Sequence, residues 1–153
     1  MKKSLIILIL VTYMIPNIHS QTVDGIWTVT NFVGEEWFCS KEKIINQTQE
    51  FYKGWSEGVF YECDYSGQSM TYNKYSLSEL LKNPEFELFK KYKDSLDLKE
   101  DDFFVHRITC NGDSDKNKRR VFYPFITTSN LKKSFYIYEG GIFVLEYFIP
   151  KNE

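Results

Sequence analysis

The chain has 153 residues, of which 18% are aromatic and 26% are charged. Lysine and arginine number 19 against 21 aspartates and glutamates, so the formal net charge is −2. This weakly acidic balance argues against nucleic acid as a general partner, because binding to phosphates needs an excess of cations. The length is that of one domain.

The first twenty residues have the three parts of a secretory signal. Two lysines form the positive start, the apolar stretch Leu5–Val11 follows, and Ser20 stands at the cleavage position. This stretch is well short of the roughly 20 residues that a membrane-spanning helix needs. We therefore predict a cleaved signal peptide over residues 1–20 and an exported domain, periplasmic or secreted, over residues 21–153. That domain keeps 17 basic and 21 acidic side chains, a net charge of about −4.

Runs of aromatic and β-branched residues that are bounded by glycine or polar turns predict strands. The runs lie at 25–33, 58–65, 68–75, 103–110, 119–127, 134–139 and 142–149, with a less regular eighth near Trp37. Short turns join 58–65 to 68–75 and 134–139 to 142–149, which predicts two hairpins. The sequence therefore predicts a mainly β fold, a single antiparallel up-and-down β-barrel of about seven or eight strands.

The middle of the chain has helical character. Leu77–Lys82 predicts one helical turn, and Asn83-Pro84 predicts the start of a second helix, because proline is favoured at the first helical position. We expect this short helical insertion to cover or plug one mouth of the barrel. The polar segment 41–49 predicts a further short helix or an ordered loop.

Three cysteines follow the predicted signal peptide, namely Cys39, Cys63 and Cys110. In an oxidising compartment two of them would pair and one would stay free. We favour a disulfide between Cys63 and Cys110, because each lies in a strand-like run and the two runs can lie side by side. The other two pairings stay open.

The sequence offers little for catalysis or metal binding. His106 is the one histidine after the signal peptide, and a zinc site needs three or four ligands with recognisable spacing. Motifs for a nucleophile elbow, a phosphate loop or a zinc protease are missing from the sequence. The acidic pairs Glu35-Glu36 and Asp101-Asp102 flank apolar strands, as solvent-exposed strand ends do. We predict no catalytic residue, no metal site and no cofactor, with His106 as a strand residue that makes an ordinary hydrogen bond.

Gly25-Ile26-Trp27 opens the first predicted strand, a helical or loop crossing follows, and strands joined by short turns complete the chain. This layout, which covers most of residues 21–153, resembles the lipocalin-like, or calycin, β-barrels, in particular the small exported bacterial ones. The resemblance implies that Trp27 packs across the closed end of the barrel in a structural role.

The function that this reading favours is that of a non-enzymatic binding protein. A barrel of about eight strands can hold one small apolar ligand, in its interior or at its mouth. Trp27, Tyr61, Phe104 and Tyr138 are the candidate lining residues. The alternative is an inhibitor or immunity protein that binds a toxin or a cell-wall hydrolase, since tyrosine and tryptophan anchor interfaces and an acidic surface attracts basic partners. The sequence leaves the ligand, the oligomeric state and the glycosylation of the Asn46 sequon open.

Overall fold

The computed structural model describes residues 23–35, 41–66, 71–111, 124–138 and 140–148. The predicted signal peptide, the predicted strand near Trp37, and Cys39 lie outside these ranges.

Nine antiparallel strands form one curled sheet. The elements are β1 (Gly25–Gly34), a 3-10 turn (Lys41–Lys43), β2 (Thr48–Tyr52), β3 (Trp55–Gly58), β4 (Cys63–Asp64), β5 (Thr71–Ser76), α1 (Leu77–Lys82), a second 3-10 turn (Pro84–Phe86), α2 (Glu87–Lys91), β6 (Asp102–Arg107), β7 (Phe125–Thr128), β8 (Lys133–Tyr138) and β9 (Gly141–Tyr147). The strand order β4-β3-β2-β1-β9-β8-β7-β6-β5 makes two meanders that join through the β1·β9 ladder. The mainly β, antiparallel prediction is confirmed. The predicted barrel of seven or eight strands is corrected to an open half-barrel of nine, because no ladder joins β4 to β5 in the described residues.

The first and the last predicted strands are confirmed. β1 buries Trp27 and Val29 and exposes Thr30, as a strand with one face on a core does. β8 and β9 pair as the predicted hairpin, and Gly140 in their turn has a φ of 85°, a backbone conformation that favours glycine.

The predicted continuous strand at 58–65 and its hairpin with 68–75 are wrong. The segment divides between the end of β3 and β4, and β5 pairs with β6 instead. The cause is the buried side chain of Gln49, whose Oε1 accepts from the amides of Phe60 and Tyr61 at 3.1 and 3.4 Å. Its Nε2 donates to the carbonyl of Tyr61 at 3.1 Å. The side chain of Gln49 therefore takes the place of a strand ladder. The polar segment 41–49 forms a 3-10 turn and the start of β2.

Both helices of the predicted insertion are confirmed. Ser76 caps α1 through a capping box, and the side chain of Asn83 accepts from the amide of Glu85 at 3.0 Å at the start of the 3-10 turn that leads into α2. Among the described residues, no helix is long and apolar enough to cross a membrane.

The expected position of the helical insertion, over or inside one mouth of a barrel, is wrong. The insertion packs on the convex face of the sheet. Leu80, Phe86 and Phe89 are fully buried and share a cluster with Phe103 and Phe135 of the sheet. Phe103 and Phe135 point outward from the curl because their neighbours along the strands point inward. β6 to β9 are thus buried on both faces, and each buried large side chain contributes about 1.5–3 kcal/mol.

The two ends of the curled sheet are tied together by a disulfide. Cys63 in β4 and Cys110 after β6 lie with their Cα atoms 5.4 Å apart, so the favoured pairing is confirmed. Next to it, the amide of Asn111 donates to the carbonyl of Asp64 at 2.6 Å, and its side chain donates to the carbonyl of Ser66 at 2.8 Å. These contacts span the seam that the strand ladders leave open.

We expect the double variant Cys63→Ala/Cys110→Ala to lose about 4 kcal/mol of unfolding free energy, because the disulfide closes a long loop of the unfolded chain. The two cysteines are 47 residues apart. Urea unfolding of the oxidised proteins measures the loss. Cys39→Ala leaves the disulfide intact and is the control, which should show no comparable loss; equal stability of the parent and the double variant would contradict the stabilising role of the disulfide.

Candidate functional site

All four aromatic residues predicted to line a ligand site lie on the concave side of the sheet. Trp27, Tyr61 and Phe104 are buried and Tyr138 is half-buried. Trp27 is fully enclosed, and its Nε1 donates to the carbonyl of Val23 at 2.9 Å. Trp27 therefore closes one part of the core, as a structural residue does.

The rings on the concave side are in contact with one another. The ring of Phe125 lies 5.5 Å from that of Trp27 and 4.8 Å from that of Phe51. Tyr61 in turn lies 6.1 Å from Phe51 and 5.8 Å from Tyr136. Such tilted and edge-to-face contacts are those of a packed apolar core. These rings therefore form the packed core of the concave side.

His106 is a fully buried residue of β6 on the same concave face. Its Nε2 lies 3.0 Å from Oγ1 of Thr127, and the ring of Tyr72 packs at 5.8 Å. Burial lowers the pKa of His106 to about 4, because the imidazolium would lose its hydration and no described group bonds to Nδ1. A neutral, enclosed imidazole with one hydroxyl partner fits the predicted structural role.

The acidic pairs do not face each other across a catalytic cleft in the described residues. Glu35 forms an exposed ion pair with Lys91 at 2.8 Å, which lowers the pKa of Glu35. Asp102 forms an ion pair with Lys74 at 2.6 Å. Across the described ranges, no three histidine, cysteine or acidic side chains gather where they could hold a metal ion.

A cleft of about 240 Å³ opens on the convex side of the sheet. It lies between the segment that follows α2 and the start of β6, the end of β7 and the start of β8. Its floor consists of Leu96, Phe103 and Phe135, which are almost fully buried, and Leu98 adds a half-buried apolar wall. The rim is polar and consists of Asp97, Lys99, Asp101, Thr128, Asn130, Lys132 and Lys133.

The turn between β7 and β8 places two lysines at this rim. Asn130 organises the turn, since its Oδ1 accepts from the hydroxyl of Thr128 and from the amide of Lys132, both at 2.9 Å. Leu131 completes the reversal with a φ of 53°. In the described part of the chain, neither Lys132 nor Lys133 forms an ion pair. Two ammonium groups therefore stand beside an apolar floor.

The carboxylates of the rim have other partners. Asp97 lies 3.6 Å from the ammonium group of Lys99. Asp101 accepts from the amide of Asp102 at 2.8 Å and from the hydroxyl of Ser129. The rim thus carries three lysines and two aspartates, and Lys99 is paired with Asp97.

The residues of this cleft are not among the candidate lining residues that the sequence predicts. In a simple barrel the convex face meets solvent, so outward-facing aromatic residues such as Phe103 and Phe135 were not expected to line a site. The run Phe103-Phe104-Val105 carried the missing signal. A continuous apolar run is typical of a strand that is buried on both faces. A second layer must then cover the convex face of the strand, and a cleft can form where that layer ends.

We expect the protein to lose stability as the pH falls from about 6.5 towards 4, because unfolding lets His106 take up a proton that the folded protein excludes. Above pH 6.5 His106 is neutral in the folded and the unfolded state, and the unfolding free energy does not depend on its titration. Near pH 4 the unfolding free energy is lower by roughly 3 kcal/mol. Urea unfolding at a series of pH values measures it. His106→Gln should flatten the dependence in this window, and an unchanged slope in that variant would contradict the assignment.

The chain matches no protein-family model, no curated protein and no solved structure. The lipocalin-like resemblance of Gly25-Ile26-Trp27 thus stays a prediction, with the curled antiparallel sheet as its structural counterpart.

Proposed function

We propose that this protein is an exported, non-enzymatic binding protein that holds a small ligand with an apolar body and an anionic head. The ligand lies in the convex cleft, with its body against the half-buried Leu98 above the apolar floor and its head towards Lys132 and Lys133. One observation carries the proposal: Lys132 and Lys133 form no ion pair in the described residues and border a cleft with an apolar floor. The sequence predicts a small apolar ligand in the interior or at the mouth of a barrel, whereas the ligand proposed here also carries an anionic head and lies outside the curl.

The size of the cleft limits the ligand. Its volume of about 240 Å³ is below the roughly 300–1,000 Å³ of sites for drug-sized molecules. A medium-chain carboxylate satisfies both the size and the chemistry of the lining. Each buried methylene contributes about 0.8 kcal/mol before the cost of association, so we expect a dissociation constant on the order of 100 µM.

The cysteine pair supports the proposed location. Cys63 and Cys110 lie at disulfide distance, and disulfides persist in oxidising compartments outside the cytosol. An exported chain that begins near Gln21 would meet such conditions before it folds.

Titration calorimetry of the oxidised chain with decanoate tests the proposal. We expect saturable binding to one site, and we expect Lys132→Gln/Lys133→Gln to weaken it by about tenfold, because the head loses two charge-assisted contacts. Leu98→Trp narrows the cleft at its apolar wall and should weaken the binding of decanoate and of the uncharged decanol alike.

Lys90→Gln/Lys93→Gln is the matched control. It removes the same charge from exposed positions that do not line the cleft. This control should bind decanoate like the parent chain. Equal weakening in the two double variants, or no binding of decanoate to the parent chain, would contradict the proposed site.

A further inference from the structure

Among the described residues, helices cover the convex face of the sheet over β6 to β9 alone. Over β2, β3 and β4 the same face is exposed, and it carries two large aromatic side chains. Tyr52 is 47% exposed and Trp55 is 37% exposed. Large apolar surface left open on a sheet face points to an interaction site.

The strand register places five side chains of this region together. Glu50 lies opposite Glu57, while Tyr52, Trp55 and Asp64 form the next row across the three strands. The alternate residues of the same strands, such as Phe51 and Cys63, point into the concave core. We call the five residues Glu50, Tyr52, Trp55, Glu57 and Asp64 the hairpin face.

The carboxylates hold the side chains of the hairpin face in place. The hydroxyl of Tyr52 donates to Glu50, and Nε1 of Trp55 donates to Glu57 at 3.2 Å. Asp64 accepts from the amide and from the hydroxyl of Ser66 at 2.8 and 2.6 Å. Rings that are already oriented lose less conformational freedom when a partner binds.

The five residues of the hairpin face carry charge of one sign. β1 to β4 contain no lysine and no arginine. Glu50, Glu57 and Asp64 form no ion pair in the described residues, and neither does Lys53 in the turn between β2 and β3. The negative charge of the hairpin face is therefore left for a partner of opposite charge.

We propose that the hairpin face docks a protein segment rich in arginine and lysine. A guanidinium or ammonium group stacks on the rings of Tyr52 and Trp55, where the π-system attracts cations. Arginine can at the same time donate to a carboxylate such as Glu57 in a planar fork. The hairpin face shares no residue with the convex cleft, so this inference goes beyond the proposed ligand binding and does not depend on it.

Fluorescence polarisation with labelled octa-arginine at low ionic strength tests the docking surface. We expect saturable binding to the full chain, and we expect Trp55→Ala and the pair Glu50→Gln/Glu57→Gln each to weaken it by about tenfold. Trp55→Phe keeps an aromatic ring and should retain most of the affinity. Unfolding midpoints close to that of the parent chain confirm that the variants are folded.

The matched control is Glu87→Gln/Glu100→Gln, which removes two exposed charges away from the hairpin face. It should change the affinity for octa-arginine by less than about twofold. Equal losses in the two charge variants would show attraction by net charge alone and would overturn the proposal. Absence of octa-arginine binding, or binding of a neutral oligosaccharide instead with the same dependence on Trp55, would overturn it as well.

Discussion

The pairing of Cys63 with Cys110 holds together a sheet that its own ladders leave open. β4 is an edge strand of two residues, too short to close a barrel by backbone hydrogen bonds. The disulfide and the two hydrogen bonds of Asn111 bring that edge to the far end of the sheet. The curl in turn lets Phe51 and Tyr61 meet the rings of β7 and β8. The aromatic core depends on this closure, because each half of the sheet supplies only half of its rings.

The consequence of the closure is an asymmetric molecule. β6 to β9 lie between the concave core and the helices, whereas the convex side of β2 to β4 stays exposed. The concave side holds the packed rings, and both proposed sites lie on the convex side. The edge of the helical layer forms the apolar cleft with its lysines, and the exposed strands form the acidic, aromatic hairpin face. Two surfaces of opposite charge thus lie on one side of a single sheet.

Much of the fold could be predicted because its signals are local. The runs at 25–33 and 142–149 are rich in β-branched and aromatic residues and are bounded by glycines. The pair Asn83-Pro84 predicts the start of the second helix. The strand at 58–65 could not be predicted correctly, because Gln49, from another strand, captures its backbone. The positions of the helices and of the cleft could not be predicted either. Whether Phe103 faces solvent or a second layer depends on contacts between residues that are distant in sequence. Sequence periodicity reports burial but not the partner that provides it.

The position of β1 has a further consequence for how the chain folds. β1 pairs with β9, the last strand and the central one of the sheet, so that the hydroxyl of Thr30 donates to the carbonyl of Val144, 114 positions away. The central ladder cannot form until nearly the whole chain has been synthesised. Non-local pairing of this kind slows folding. The middle ladder of the sheet is therefore completed only after the C-terminal strand has arrived.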